Sequence, residues 1–359
     1  MAYTDIDDPT DYFNTVLYTG NNNTNVITGV GHQPDMIWVK KRNAEADHII
    51  FDSVRGVTKG IFPSRNSAEE TEGGNRGLRS FNTDGFTLGA EVNDMAGSCN
   101  DNNDTFVSWN WKAGTAFTND ASSTSVGSID SAGSVNNDAG FSIVTYTGTG
   151  SNGTVKHGLN SVPKMFLVKE LSNANSWEVY HASQGAGKNA QLNTTAAFES
   201  AGSSRWNSTA PTSATISIGT DSGVNRSSSN YIAYCFAEKQ GYSKFGSYTG
   251  NGNADGPFVH LGFKPAWVFV KNTVDTDDWT IWDNKREDYA PGNPNESILV
   301  TNNSDAELDA TARSVDFLSN GFKLRTNNTE INTTDEVYIY MAIAENPFVT
   351  STGVPATAR

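Results

Sequence analysis

The side chains best able to do chemistry in this chain are five histidines (His32, His48, His157, His181, His260), two cysteines (Cys99, Cys235) and a few acids and tryptophans that recur along its length. A nucleophilic hydrolase needs a serine or cysteine beside a histidine base and an orienting acid, commonly at a glycine elbow. No histidine here sits in such an order, and His32 and His157 read as solvated loop residues. No His/Cys group has zinc spacing. Gly250-Asn251-Gly252 lacks the helix and lysine that follow a phosphate-cradling loop.

Acid chemistry on sugars requires two carboxylates facing each other across a cleft. Asp52 and Asp283 occupy matching places in two repeats, but His181 replaces them in the middle one and no second recurrent acid accompanies them. A polar residue bonding backbone at a strand end fits that pattern better. Trp177 and Trp279, four residues earlier, have rings that could stack on sugars; tryptophan beside a core strand also simply fills space. They are the candidate glycan-binding residues. Asn251, Asn253 and Asp255 alternate oxygen donors ahead of Gly256, as at the start of a hand-type calcium loop, although Gly262 stands where the closing glutamate belongs. They are the candidate Ca²⁺ ligands. Asp101-Asn102-Asn103-Asp104 is similarly oxygen-rich, and hairpin-tip chemistry explains both stretches without an ion. No other cofactor is expected, and no enzyme.

These residues are carried by an internal repeat. Tyr-Thr-Gly recurs at Tyr18, Tyr146 and Tyr248, followed at near-constant spacing by Pro34, Pro163 and Pro265. Lys40, Lys169 and Lys271 come next, then His48, Trp177 and Trp279, then Asp52, His181 and Asp283. Each proline opens a strand apolar on both faces (Met36–Lys40, Met165–Lys169, Trp267–Lys271), the pattern of a fully covered central strand, with lysine expected where it meets water. Each repeat closes on another apolar strand, Phe106–Trp111, Tyr231–Phe236 and Tyr338–Ile343. Asp84-Gly85 and Asn320-Gly321 feed strands with alternating Phe and Leu; the middle copy has only Ile216-Ser217-Ile218-Gly219 there. The one helical candidate, Ala306–Ser314, is short.

The expected fold is all-β: three tandem antiparallel β-sandwich domains, jelly-roll or concanavalin-like. The boundaries are 1–112, 141–240 and 241–348, with a Ser/Gly/Asn-rich linker or surface strap at 113–140 and a tail at 349–359. The second and third copies are expected to pack as a pair, with the first apart.

The chain of 359 residues carries 33 glycines, 18 % charged residues and a net charge of −15 at pH 7. Such an acidic surface repels phosphate, so nucleic acid is not an expected partner. The two cysteines fall at unmatched positions and suggest no disulfide framework. No apolar run is long enough to span a membrane, and the first residues show no leader pattern. Synthesis in a cytoplasm, without export and without a membrane partner, is expected.

The stretches Gly140–Gly150, His157-Gly158-Leu159, Tyr234–Glu238, Tyr242–Gly252 and Asp316–Arg325 are similar to a repeat family common in marine tailed-phage genomes, over about Phe13 to Phe348. That family is a domain of unknown function found in phage structural regions, often beside tail-fibre or lectin-like modules. The resemblance implies a bacteriophage virion setting, assembled in the host cytoplasm, and transfers no catalytic or binding residue. The expected function is a structural protein on the particle exterior, a tail-fibre or host-adhesion component that forms oligomers and binds other virion proteins or host-surface glycan. Capsid decoration or a head fibre is one alternative; a lectin or a polysaccharide depolymerase is the other.

Overall fold

A strand apolar on both faces has to be covered twice, and each proline-led strand is. A computed structural model describes residues 3–90, 99–286, 293–309 and 311–355. It is all-β, 44 % strand and 5 % helix, in several antiparallel sheets, none closed.

The first repeat contains β1 (Phe13–Thr19), β2 (Asn25–Thr28), β3 (Met36–Lys41), β4 (Ile49–Asp52), β5 (Lys59–Gly60), β6 (Glu70–Thr71), β7 (Leu78–Asn82), β8 (Gly85–Leu88) and β9 (Thr105–Trp111). Two strands follow, β10 (Thr115–Asn119) and β11 (Ser131–Asn136). The second repeat runs β12 (Phe141–Thr147), β13 (Gly153–Lys156), β14 (Pro163–Glu170), β15 (Glu178–His181), β16 (Lys188–Gln191), β17 (Glu199–Ser200), β18 (Thr215–Ile218) and β19 (Asn230–Ala237). The third runs β20 (Ser243–Thr249), β21 (Phe258–His260), β22 (Phe263–Asn272), β23 (Thr280–Asp283), β24 (Ser297–Val300), β25 (Leu308–Asp309), β26 (Val315–Leu318), β27 (Gly321–Leu324) and β28 (Val337–Pro347).

All three share one plan. The large sheets order first, last, third and fourth strands: β1-β9-β3-β4, β12-β19-β14-β15 and β20-β28-β22-β23. Smaller sheets, β2-β8-β7, β13-β18 and β21-β27-β26, cover one face of each. In the first repeat Ile37, Val39 and Phe51 meet Phe86 and Leu88; in the third Val268 and Val270 meet Phe322 and Leu324. The second repeat keeps only β13-β18, which bring Val155, Ile216 and Ile218 onto Phe166 and Val168.

The opposite faces meet one another. Met36 and Trp38 of β3, Met165 and Leu167 of β14, and Trp267 and Phe269 of β22 enter one core, joined by Trp109, Tyr234 and Met341 of the closing strands. Period-two alternation sends odd and even residues to different cores, so every side chain of β3 is buried. The first repeat therefore does not sit apart, because its Phe13, Met36, Trp38, Trp109 and Trp111 lie inside this shared core. The 113–140 segment is not a loose linker either. Its strands β10 and β11 pair onto β12 and extend the second large sheet to eight strands. The Ala306–Ser314 helix is replaced by β25 and a 3-10 turn at Thr311–Arg313. No described helix is long and apolar enough to cross a membrane.

Candidate functional site: the seams between repeats and the strap cleft

The recurrent residues converge on the seams where repeats touch, and each landmark reaches a neighbouring repeat in all three copies. Lys40, Lys169 and Lys271 do not meet water; all are fully buried. Lys40 Nζ donates to Lys41 O at 2.9 Å and to Ser304 O of the third repeat at 3.3 Å. Lys169 donates to Glu170 O at 2.7 Å and Asn66 O of the first repeat at 3.4 Å. Lys271 reaches Thr195 O of the second repeat at 3.1 Å and Asp275 O at 3.3 Å. An ammonium has three donors and no acceptor, so it can join carbonyls from two repeats at once. Burial lowers each amine to about 8.

The next landmark bridges the same seams through a ring N–H. His48 Nε2 lies 3.0 Å from Val300 O of the third repeat, Trp177 Nε1 2.8 Å from Phe62 O of the first, and Trp279 Nε1 3.1 Å from Gln191 O of the second. Trp177 and Trp279 are both fully buried, so neither offers a face to a sugar; the large ring that could have stacked on a ligand stacks on the shared core instead.

Asp52, His181 and Asp283 complete the set. Asp52 Oδ2 accepts from Tyr234 Oη of the second repeat at 2.7 Å, and Asp283 Oδ2 from Trp109 Nε1 of the first at 2.9 Å. Each carboxylate also accepts turn amides, Val54 and Arg55 for Asp52, Lys285 and Arg286 for Asp283. Arg55 and Arg286 then pair with them at 2.5 Å from within the same turn. Glu69 and Glu307 take the other side of these guanidiniums at 3.1 and 3.0 Å. The Asp-x-x-Arg spacing was present in both copies and is the signal by which the arginines could have been found. His181 has no charged partner: its Nε2 lies 3.2 Å from Tyr340 O of the third repeat.

Three histidines, His48, His157 and His181, have both ring nitrogens engaged. His48 Nδ1 accepts from Trp38 Nε1 at 2.9 Å, His157 Nδ1 from Leu159 N and His181 Nδ1 from Ser183 N, both at 3.2 Å. That fixes Nε2 as the protonated nitrogen in each, and leaves none of these three free to act as a base. Burial holds His157 and His181 down at about 4. His32 and His157 are buried rather than solvated, because each caps a carbonyl in a tight loop, Thr10 O and Thr212 O. Cys99 and Cys235 are both buried, and burial pushes the Cys235 thiol up to about 12.

A fourth recurrent set lay outside the sequence reading. Asn100, Asn225 and Asn332 are fully buried, and each stands seven residues before the aligned Val107, Ile232 and Ile339. Asn332 accepts from Asn251 N at 2.8 Å and donates to Asn253 O and Thr326 O; Asn100 and Asn225 hold their own loops in the same way. Beside them Tyr18, Tyr146 and Tyr248 donate to Cys99 O, Val224 O and Ile331 O at 2.7, 2.6 and 2.8 Å. A Cβ on Gly20, Gly148 or Gly250 would lie 2.1–2.3 Å from a backbone oxygen of the same segment, which explains Tyr-Thr-Gly. The oxygens of Asn251 and Asn253 are spent on backbone amides, and Lys323 already stands 2.9 Å from Asp255. The loop is closed by hydrogen bonds among its own residues. Among the described residues no group of three His, Cys, Asp or Glu is placed to hold a metal.

A cleft lies outside the repeated scheme. The start of β11 and the adjoining edge of the second repeat face the first repeat across a cleft of about 680 Å³. Val54, Arg55, Lys59 and Glu69 form one wall; Asp130, Ser131, Thr145, Thr147, Ser172 and Asn230 are on the other, and the Glu69 amide ties the two by donating to Leu171 O at 3.0 Å.

The sheets and this polar wiring define an all-β protein in which three copies of one plan share a core. The chain belongs to the family described as a domain of unknown function, DUF7483, whose profile spans residues 8–347. That single span takes in all three repeats. No curated protein matches the chain.

Proposed function

We propose that this is a non-enzymatic structural protein of a bacteriophage particle, carried on the exterior as part of the tail-fibre or adhesion apparatus, where it contacts other virion proteins or the host surface. We read each repeat as a β-sandwich of jelly-roll or concanavalin-like kind. The observation that carries the structural part is that the recurrent polar residues are consumed in joining the repeats: three lysines, two Asp–Arg pairs and the ring N–H groups all end on the neighbouring copy. A body wired in this way suits load-bearing display of loops. The phage setting rests on the sequence resemblance. Labelling the chain in intact particles tests it: signal on the tail or baseplate exterior is the expected result, and a chain absent from particles, or found only inside the head, refutes it.

One observation favours a second reading. The seam contacts run in cyclic order, first to third, second to first and third to second, as in a fused trimer. A unit of that symmetry suits decoration of a capsid at a threefold position, and the same labelling would then mark the head surface.

A further inference from the structure

We propose that the strap cleft binds a neutral oligosaccharide of a few sugar units. This deepens the binding part of the proposed function and places the ligand where the repeat pattern is broken rather than on the tryptophans. Strands β1 and β20 are the terminal strands of their sheets, whereas their counterpart β12 is covered by β11. The wall that β11 supplies, around Asp130–Ala132, therefore has no counterpart in the other two sheets, and the shared fold does not require it.

The lining selects the ligand. Exposed hydrogen-bonding groups come from Thr147, Ser172, Asn230 and Asp130, with Lys59 beside them. The Asn230 carboxamide oxygen is taken by Thr147 Oγ1 at 3.2 Å and the Ser172 hydroxyl oxygen accepts Asn230 N at 3.0 Å, which leaves the carboxamide N–H pair and the serine proton to donate into the cleft. Arg55 and Lys59 are balanced by Glu69 and Asp130, so no net field favours a phosphate or a polyanion. Val54 and Leu171 give a small apolar patch, enough for the C–H face of a sugar and too little for a lipid tail. An extended peptide would seek a free strand edge, and β12 has its edge filled by β11 over six residue pairs. The volume falls within the roughly 300–1,000 Å³ of small-ligand sites.

Saturation-transfer NMR on the full chain would test this with three neutral trisaccharides (maltotriose, cellotriose and chitotriose), sialyllactose as an anionic probe and a neutral hexapeptide. At least one neutral trisaccharide should give signal. The pair Asn230→Ala with Ser172→Ala should weaken its binding about tenfold or more, as should Thr147→Arg, which fills the cleft from an exposed position. Asn152→Ala, outside the cleft, should not. Silence from all three neutral sugars, signal confined to sialyllactose or the peptide, or binding that survives both cleft changes overturns the proposal. None of these outcomes bears on where the chain sits in a particle, so this site and the virion assignment fail separately.

Discussion

Two seams of this protein are closed by a buried ion pair and the third by a neutral histidine, although all three follow one backbone plan. Asp52–Arg55 and Asp283–Arg286 sit fully desolvated, each reaching across to a ring of the next repeat. In the remaining seam His181 replaces the aspartate and Gln184 the arginine, and one ring N–H reaches Tyr340 O. The comparison teaches that the geometry of the seam is conserved by the fold while its chemistry can be exchanged, provided the exchange is made in pairs. The same lesson appears at the end of the third strand. Lys41 there faces Asp101 and Asp104, Glu170 faces Arg226, and Asn272 donates to Asp277 and Glu336.

The largest expected effect comes from breaking one charged seam. Asp283→Ala strands Arg286 in the interior and takes the acceptor from Trp109, which should cost about 3–5 kcal/mol in denaturant unfolding. His181→Ala removes a neutral hydrogen bond and some packing, and should cost less, on the order of 2 kcal/mol. Equal losses would erase the distinction between the seams.

Acid should act on the seams through their buried histidines, His48 between the first and third repeats and His181 between the second and third, both held below the ordinary value by burial. His181 and His157 are held neutral in the fold, with values lowered to about 4. A lowered histidine stabilises fully above its unfolded value of about 6.5, and that stability is lost as pH falls toward 4. Each should contribute a loss of about 3 kcal/mol by pH 4. Chemical denaturation between pH 7 and 4.5 should show a falling midpoint, with a shallower slope in His181→Gln. A flat profile would mean the rings are protonated in the folded state.

Transplantation sharpens the comparison further. His181→Asp alone buries an unpaired carboxylate and should be destabilising by several kcal/mol, about 3 or more. Adding Gln184→Arg should recover most of that loss, to within about 1 kcal/mol of the native chain. If the double change is no better than the single one, the seams are not interchangeable.

Much of this was legible in the sequence, and what was missed has physical reasons. Alternating apolar residues betray a strand because its period is two, so β3, β14 and β22 and their closing partners were readable, and so was the need for two covers. The identity of the second cover was not, because it comes from residues more than a hundred positions away. Lys40 read as a surface residue since an ammonium normally costs too much to bury; only the neighbouring repeat supplies the carbonyls that hold it. The 113–140 segment read as a linker or a surface strap because backbone pairing in β10 and β11 makes little demand on side chains. Trp177 and Trp279 were legible as core or as ligand platforms, and the sequence alone could not say that the atoms under them belong to another repeat. Asn100, Asn225 and Asn332 kept fixed spacing yet look like loop residues, and the strap cleft has no motif at all.

The central claim is that three alike repeats are one body closed on a shared core. Differential scanning calorimetry of the full chain tests it most directly. A single transition whose calorimetric and van't Hoff enthalpies agree is the predicted result. Two or three separate transitions, each matching an isolated repeat, would contradict it.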